Sequence, residues 1–570
     1  MSLFDKSNTR SQGLLIFLGA WLIINLLQAW AVGVHEDEAY YWMWSRWMDW
    51  GYFDHPPMVA LIIKIGKGFF SGTLGLRLMT VLMSTTAIYL LWELVKPYQV
   101  KFAHFCMVVA SVPLIHIYGF VTTPDVPLFF FGVLYFHALK RYYQEDSWKN
   151  VLLLAIVIAL MFYSKYHAVL LVFFSLLANW KLLTRPSFWV TAVLSVLLLT
   201  PHIYWQISNE FPSIQYHLFD RSKEPYKIAN TYMYLLNEWV VFGPLTAYFL
   251  FKAALKVKLE GDFDRALLVN LFGIVLFFFI SSFKGWVEAH WTLVATIPLV
   301  LLAPRGIQYL SVGEYKWFKN LFVASLVLLM TARLLLGIPA GPWYSLPALK
   351  MFKERKEWSE RIQEVAQGRP VVFVNGFQKP SQFGFYTDGA HVACLTQVNY
   401  RKHQYDLWPM LDSLQGKSIA LVGYEGQLPQ MQTFDTPNGK VSVGIMDDFQ
   451  SLGKIWSEIQ NPAPTYSAGQ EVKLEVLLTN KFDRAVQYHF DLEGASPALL
   501  PTFWKEGKIV PVAQQPIPLE QLKWRQGEQR LQSVHIKMPA EAGKYKLMIS
   551  TCQFPFERRL SGRAIDVEIK

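Results

Sequence analysis

The sequence predicts a polytopic α-helical membrane protein of about eleven transmembrane helices, followed by a soluble C-terminal α/β region and a β-sandwich domain. Three observations predict it. Long apolar runs dominate residues 11–337, residues 338–570 have the composition of a soluble protein, and short alternating strand patterns fill the chain after about residue 440. Of the 570 residues, 53% are hydrophobic and 17% charged, below the roughly 25% charged of soluble domains. The expected domains are 1–340 (membrane), 341–437 (α/β) and 438–570 (Ig-like sandwich).

A spanning helix needs roughly 20 apolar residues. The candidates are about 12–34, 74–95, 103–121, 126–140, 150–164, 166–181, 188–206, 231–252, 265–283, 289–304 and 318–337, those near 126, 150 and 289 being short. No A-x-A site ends the run Leu14–Val34, which reads as a retained first helix rather than a cleaved signal peptide. Basic residues gather on alternate connections: Lys6 and Arg10, Lys96 and Lys101, Lys140 and Arg141, Lys181 and Arg185, Lys252 to Arg265, and Arg305 to Lys319. By the positive-inside rule these connections and the N-terminus are cytoplasmic, and the C-terminal domains extracytoplasmic. The net charge of +10 is spread between apolar runs, which fits membrane orientation and not nucleic acid. Three scattered cysteines, Cys106, Cys394 and Cys552, make neither a disulfide framework nor a CxxC metal site.

The outer connections are then 35–73, 122–125, 164–166, 207–230 and 284–288. The first opens HEDEAYYWMWSRWMDWGYFDHPP (35–57). Its acidic start and helically spaced Tyr40, Met43/Trp44 and Trp47 predict a helix lying in the interface, rings at the headgroups. VALIIKIGKGFF (59–70) predicts a second such segment. Beyond Pro339, residues 345–366 predict an amphipathic helix; RPVVFVNGF (369–377) and KSIALVGYEG (417–426) read as strands of an α/β domain. VSVGIM, EVKLEVLLTN, VQYHFDL, SVHIKM, KYKLMIST and AIDVEIK read as sandwich strands.

Ionisable residues at membrane depth are costly and tend to mark function or pairing. The candidates all map to the outer side: Asp37, Glu38, Asp54, His55, Asp125, Lys165, Lys284, Glu288 and His290. Carboxylates and cations in one pocket suit a base for an incoming nucleophile and positive groups for a leaving phosphate. Each has a plainer reading. Asp37, Glu38 and Asp125 are also helix-start charges, Lys165, Lys284 and His290 can snorkel to headgroups, and His35 and Glu36 read as solvated. His35, Asp37, Asp54, His55 and Asp125 include metal-ligand types without diagnostic spacing, so no cofactor is expected and a divalent ion is not favoured.

DEAYYW…GYFDHPP, TTPDVPLFFF, SKYHAVLL and a G-W-x-x-x-x-W loop together resemble bacterial members of the dolichyl-phosphate-mannose protein mannosyltransferase superfamily, multi-pass glycosyltransferases of the GT-C fold that include the aminoarabinose transferase acting on lipid A. The resemblance covers about residues 10–340. It implies a polyprenyl-phosphate (undecaprenyl-phosphate) sugar donor, a hydroxyl or phosphate acceptor on lipid A, an envelope glycan or protein, and inverting transfer on the periplasmic face of the inner membrane. By the same match Asp37 is the general base, Glu38 orients it or the sugar, and Asp125 supports donor or acceptor. Lys165, Lys284 and His290 are candidates for the donor phosphate, and Tyr40, Asp54, His55, Tyr166 and Glu288 for substrate contact. The chain departs from relatives at Ala289-His290-Trp291, where they often carry Pro-Asn-Trp, and RKHQYDLWP (401–409) resembles a segment following their membrane region. The rival is a transporter or flippase of lipid-linked sugars, which predicts internal repeats and broken midplane helices; no repeat is found. A catalytically inactive relative acting through its sandwich is the third reading.

Overall fold

The computed structural model describes residues 3–220, 226–338, 341–342, 346, 352, 355–389, 391–428, 430–436, 439–488, 497–553 and 558–570. The chain divides into two compact units, Met1–Lys353 and Glu354–Lys570.

All eleven apolar stretches are helical. Five helical segments among the described residues are long and apolar enough to cross a membrane: Gln12–Ala31, Gly72–Tyr98, Asp262–Ser281, Ala289–Tyr309 and Val312–Leu336. A sixth span forms if Pro186–Leu198 and Thr200–Ser208, bent by 51° between them, act as one. The remaining stretches are shorter or interrupted, for local reasons. Pro113 ends the helix Phe102–Ser111 and starts Pro113–Ile117. At Gly243-Pro244, where Gly243 has φ 134°, the stretch 231–252 splits into Ile228–Val241 and Ala247–Leu255.

The core of this unit is built from faces of many helices, including Ala87, Phe105, Val133, Phe136, Leu171, Leu271, Leu299 and Leu302. Many large apolar side chains on the outside stay exposed, among them Leu15, Trp30, Trp148, Val193 and Leu197. An apolar exterior of this extent requires a lipid solvent. Helices also approach closely through glycine: a Cβ on Gly66 would stand 2.3 Å from the Gly75 carbonyl oxygen, and one on Gly306 1.8 Å from that of Ala253.

Four helices frame the functional end: α1 (Leu3–Ala31), α2 (Glu36–Arg46), α3 (Met58–Lys67) and α4 (Gly72–Val95). The aromatic helix α2 departs from its sequence reading. Tyr40, Tyr41, Trp42, Met43 and Trp44 are buried, Trp44 stacking on Tyr52 at 4.4 Å, and the exposed stretch comes after them, at 46–50, with Trp47, Met48 and Trp50. Helical spacing of aromatics does not distinguish rings aimed at headgroups from rings aimed at protein. Here the loop folds back, and the Tyr52 hydroxyl donates to the Trp44 and Trp47 carbonyls.

In the second unit the amphipathic helix is Lys356–Ala366; most of residues 345–354 lie outside the described residues. A five-stranded sheet has the order β2-β1-β3-β5-β4: β1 (Val371–Val374), β2 (Val392–Leu395), β3 (Ile419–Gly423), β4 (Met431–Thr436) and β5 (Gly439–Met446). β1 is parallel to β2 and β3, while β5 is antiparallel to β3. VSVGIM therefore belongs to this sheet and not to the sandwich, and the boundary expected at 437/438 cuts a hairpin, since β4 pairs with β5 from Thr436↔Gly439 onward. The sandwich follows. Ile455–Gln460, Glu471–Asn480 and Gln529–Lys537 form one antiparallel sheet. Ala498–Lys505, Gly543–Cys552 and Ile565–Ile569 lead a second, and Val476, Leu478, Phe503, Val534 and Leu547 fill the core between them. Of VQYHFDL, residues 486–487 form a short strand and the last residues lie outside the described set.

Candidate active site

The chain leaves α1 at Ala31 and turns at once into α2. His35 is the N-cap: its Nδ1 accepts from the Asp37 amide at 3.1 Å, and its own amide donates to the Glu38 carboxylate at 2.9 Å, a reciprocal capping box. Glu38 is 0% exposed. Arg77 of α4 grips it, Nε at 2.8 Å and Nη2 at 2.5 Å, and the Thr122 amide donates to it at 2.8 Å. Arg77 donates as well to the Val32 and Gly33 carbonyls. Glu38 thus ties the end of α1, the start of α2, α4 and the turn before Asp125 into one joint. Its lone pairs are used up there, so it acts by position.

Asp37 differs from its neighbour. Its side chain is 42% exposed and stands 4.0 Å from His35 Nδ1. Of the acidic pair, it is the carboxylate accessible to an incoming molecule.

Asp125 starts the helix Asp125–Gln144 and is buried. Both its oxygens accept from Lys165 Nζ at 2.8 Å, and His290 Nε2 lies 3.9 Å away. Lys165 stands where the helix Trp148–Ser164 ends in extended backbone, which aims the side chain across to Asp125. Tyr40 donates to Asp54 at 3.1 Å, and His217 bonds the Asp54 carbonyl at 2.8 Å. Tyr166 shares its hydroxyl with His202 at 3.1 Å and Gln206 at 2.8 Å. His55 stacks against His217 at 5.7 Å, and its Nδ1 is buried with no hydrogen-bond partner among the described residues.

One side chain reports how closely these groups gather. The Tyr41 hydroxyl is pushed well above its ordinary range first by burial and then by the charges of Asp37, Asp54 and Asp125 together. His55 is held below its ordinary value by burial, then by Lys165, His217, His167 and His290. The Tyr118 ring lies 6.1 Å from that of His290. Contacts join Asp125, Lys165 and His290, with Tyr118 beside His290; others join Tyr40 to Asp54, the Tyr41 ring to His55, and His55 and Tyr166 to His217, and Asp37, Asp54 and Asp125 all act on the Tyr41 hydroxyl. Lys284 is not among them: it is exposed, and no contact among the described residues joins it to the cluster.

Sequence reasoning missed Arg77, Tyr41, Tyr118 and His217. Arg77, alone in the apolar run GTLGLRLM, carried the signal that a charge at membrane depth needs a partner; the other three carried none. Beside the polar cluster lies an apolar crevice lined by Met83, Ile115, Tyr118, Val126 and Phe129. Among the described residues no three His, Cys, Asp or Glu side chains converge as a metal site.

The chain is similar to known proteins. Residues 54–205 match the family model for dolichyl-phosphate-mannose-protein mannosyltransferase. The lipid A galacturonosyltransferase RgtD of Rhizobium johnstonii is 24% identical over 319 residues, 51% of this chain and 64% of that protein, so the chain spans less than two thirds of its length. The crystal structure of ArnT from Cupriavidus metallidurans in the apo state superposes with a TM-score of 0.57 at 14% identity, covering 76% of this chain and 98% of that one. Its complex with undecaprenyl phosphate gives 0.56.

Proposed function

We propose, on the premise that this chain has the GT-C fold and is kin to the mannosyltransferase-like superfamily, that it transfers a sugar from a polyprenyl-phosphate donor to a hydroxyl or phosphate acceptor. The observation that carries the reading is the gathering of an accessible carboxylate, a lysine and a histidine at one end of a membrane-embedded bundle. In this reading undecaprenyl phosphate, which the ArnT structure binds, is the carrier.

Asp37 takes the proton of the acceptor as its oxygen attacks the anomeric carbon. The bond to the carrier phosphate breaks on the opposite face, and configuration inverts. A single base suffices. Lys165 and His290 balance the charge that develops on the leaving phosphate. Asp125 holds Lys165 in place; Asp54, through Tyr40, and Glu288 line the approach of the sugar. Glu38 supports Asp37 through the Arg77 joint. The acceptor is lipid A, another envelope glycan or a protein, and the soluble unit faces the outside of the inner membrane.

The test is transfer from a panel of undecaprenyl-phosphate sugars to envelope lipid and peptide acceptors. Wild type is expected to transfer one of them, and the same preparation with EDTA to transfer it equally well. Movement of labelled lipid across liposomes without transfer overturns the reading in favour of a transporter.

A further inference from the structure

The carboxyl ends of parallel strands are where α/β sheets hold ligands, and in the soluble unit this edge carries a group of side chains that the transfer reaction does not use. β1 runs straight into Asn375 and Gly376, both in left-handed backbone at φ 59° and 78°. Asn375 is locked: its amide donates to the Gln397 and Asn399 side-chain oxygens at 3.0 and 3.2 Å and accepts from the Gln397 backbone at 2.8 Å. That leaves exposed Asn399 with its amide N–H groups for a ligand. The segment after β2 then wraps over the turn. The Tyr400 hydroxyl packs at Gly376, and the Arg401 guanidinium lies 4.7 Å from the centroid of the Phe377 ring.

The next residue extends the group onto the sandwich. Lys402 Nζ lies 5.3 Å and Lys481 Nζ 4.1 Å from the ring of Trp456, which stands on the edge strand Ile455–Gln460. Both lysines are exposed, and among the described residues neither is paired with a carboxylate. Planar amides suit vicinal hydroxyls, and two ammonium groups gathered on one indole ring suit an anionic substituent; Trp456 holds both ammonium groups at the site. We propose that Asn399, Arg401, Lys402, Trp456 and Lys481 form a binding site for a phosphorylated saccharide. That this saccharide is the head of the acceptor glycolipid rests on the proposed function; the binding site itself does not.

The experiment titrates the full chain in detergent, by calorimetry, with a deacylated bisphosphorylated glucosamine disaccharide and with the same disaccharide after phosphatase treatment. Wild type is expected to bind the phosphorylated form at least ~10-fold more tightly, and the K402Q/K481Q double variant to lose that margin, as the removal of charged hydrogen-bond donors implies. The K402R/K481R variant should keep it, and W456A, which removes the ring that gathers the two ammonium groups, should narrow it, with thermal unfolding showing each variant folded. Equal affinity for the two sugars, or a double variant that binds like wild type, overturns the proposal. So does inorganic phosphate, or phosphatidylglycerol vesicles, competing as strongly as the disaccharide. Because binding is read without turnover, a wild type that binds but transfers nothing leaves this site standing and removes the catalytic reading.

Discussion

Two buried carboxylate–cation pairs in the membrane unit look alike and differ in their surroundings. Asp264 meets the Arg305 guanidinium at 2.7 Å through both oxygens, and accepts further from the Glu260 amide at 3.0 Å and Tyr98 at 3.3 Å. Arg305 in turn lies 3.6 Å from the Tyr98 ring centroid. Every lone pair is spoken for, so the pair is a closed staple. Asp125 also meets a cation through both oxygens, but its cation is a lysine, and His290, a titratable and partly exposed side chain, stands 3.9 Å away. The second pair borders titratable and accessible groups. A buried ion pair by itself is weak evidence for function; what surrounds it decides.

The sharpest way to break this comparison is to open the staple. Arg305→Ala leaves Asp264 buried and uncompensated and should cost roughly 3–5 kcal/mol of stability, read by thermal unfolding in detergent. Transfer per folded molecule should stay near wild type. Lys165→Met should invert that pattern, lowering transfer by roughly 10²–10³-fold with a smaller loss of stability, because the Asp125 site keeps His290 nearby. If the two variants behave alike, the distinction between staple and site is wrong.

A smaller effect concerns pH. His55 has a folded pKa below its ordinary 6.5, so below that value the unfolded chain binds a proton that the folded chain refuses. Stability should fall as pH drops through 6.5 toward the depressed value, and His55→Gln should flatten that slope in unfolding measured between pH 7 and 5. Smallest of all, Lys284→Ala should change transfer less than about threefold, an exposed surface change of roughly 0.5 kcal/mol or less; a larger drop would bring Lys284 back to the donor phosphate.

The apolar runs made the helical membrane unit legible, and alternation made most of the sandwich legible. Helix lengths were less so, because Pro113 and Gly243-Pro244 interrupt runs that hydropathy alone joins. The strand Val392–Leu395 was overlooked, being only four residues, and β5 was assigned to the wrong sheet because alternation marks a strand without naming its partner. At the site, charge in an apolar context pointed to Asp37, Asp54, Asp125, Lys165 and His290. It did not separate Glu38, locked by a distant arginine, from Asp37 one residue earlier. That division depends on α4 crossing behind α2, which no local pattern records.

That division is also the most direct test. Transfer should be measured for wild type, Asp37→Asn and Glu38→Gln, alongside their unfolding temperatures. The account predicts that Asp37→Asn folds like wild type and slows transfer by roughly 10²–10⁴-fold, whereas Glu38→Gln loses stability first and activity in proportion to the folded fraction. An Asp37→Asn protein that transfers as fast as wild type would contradict it.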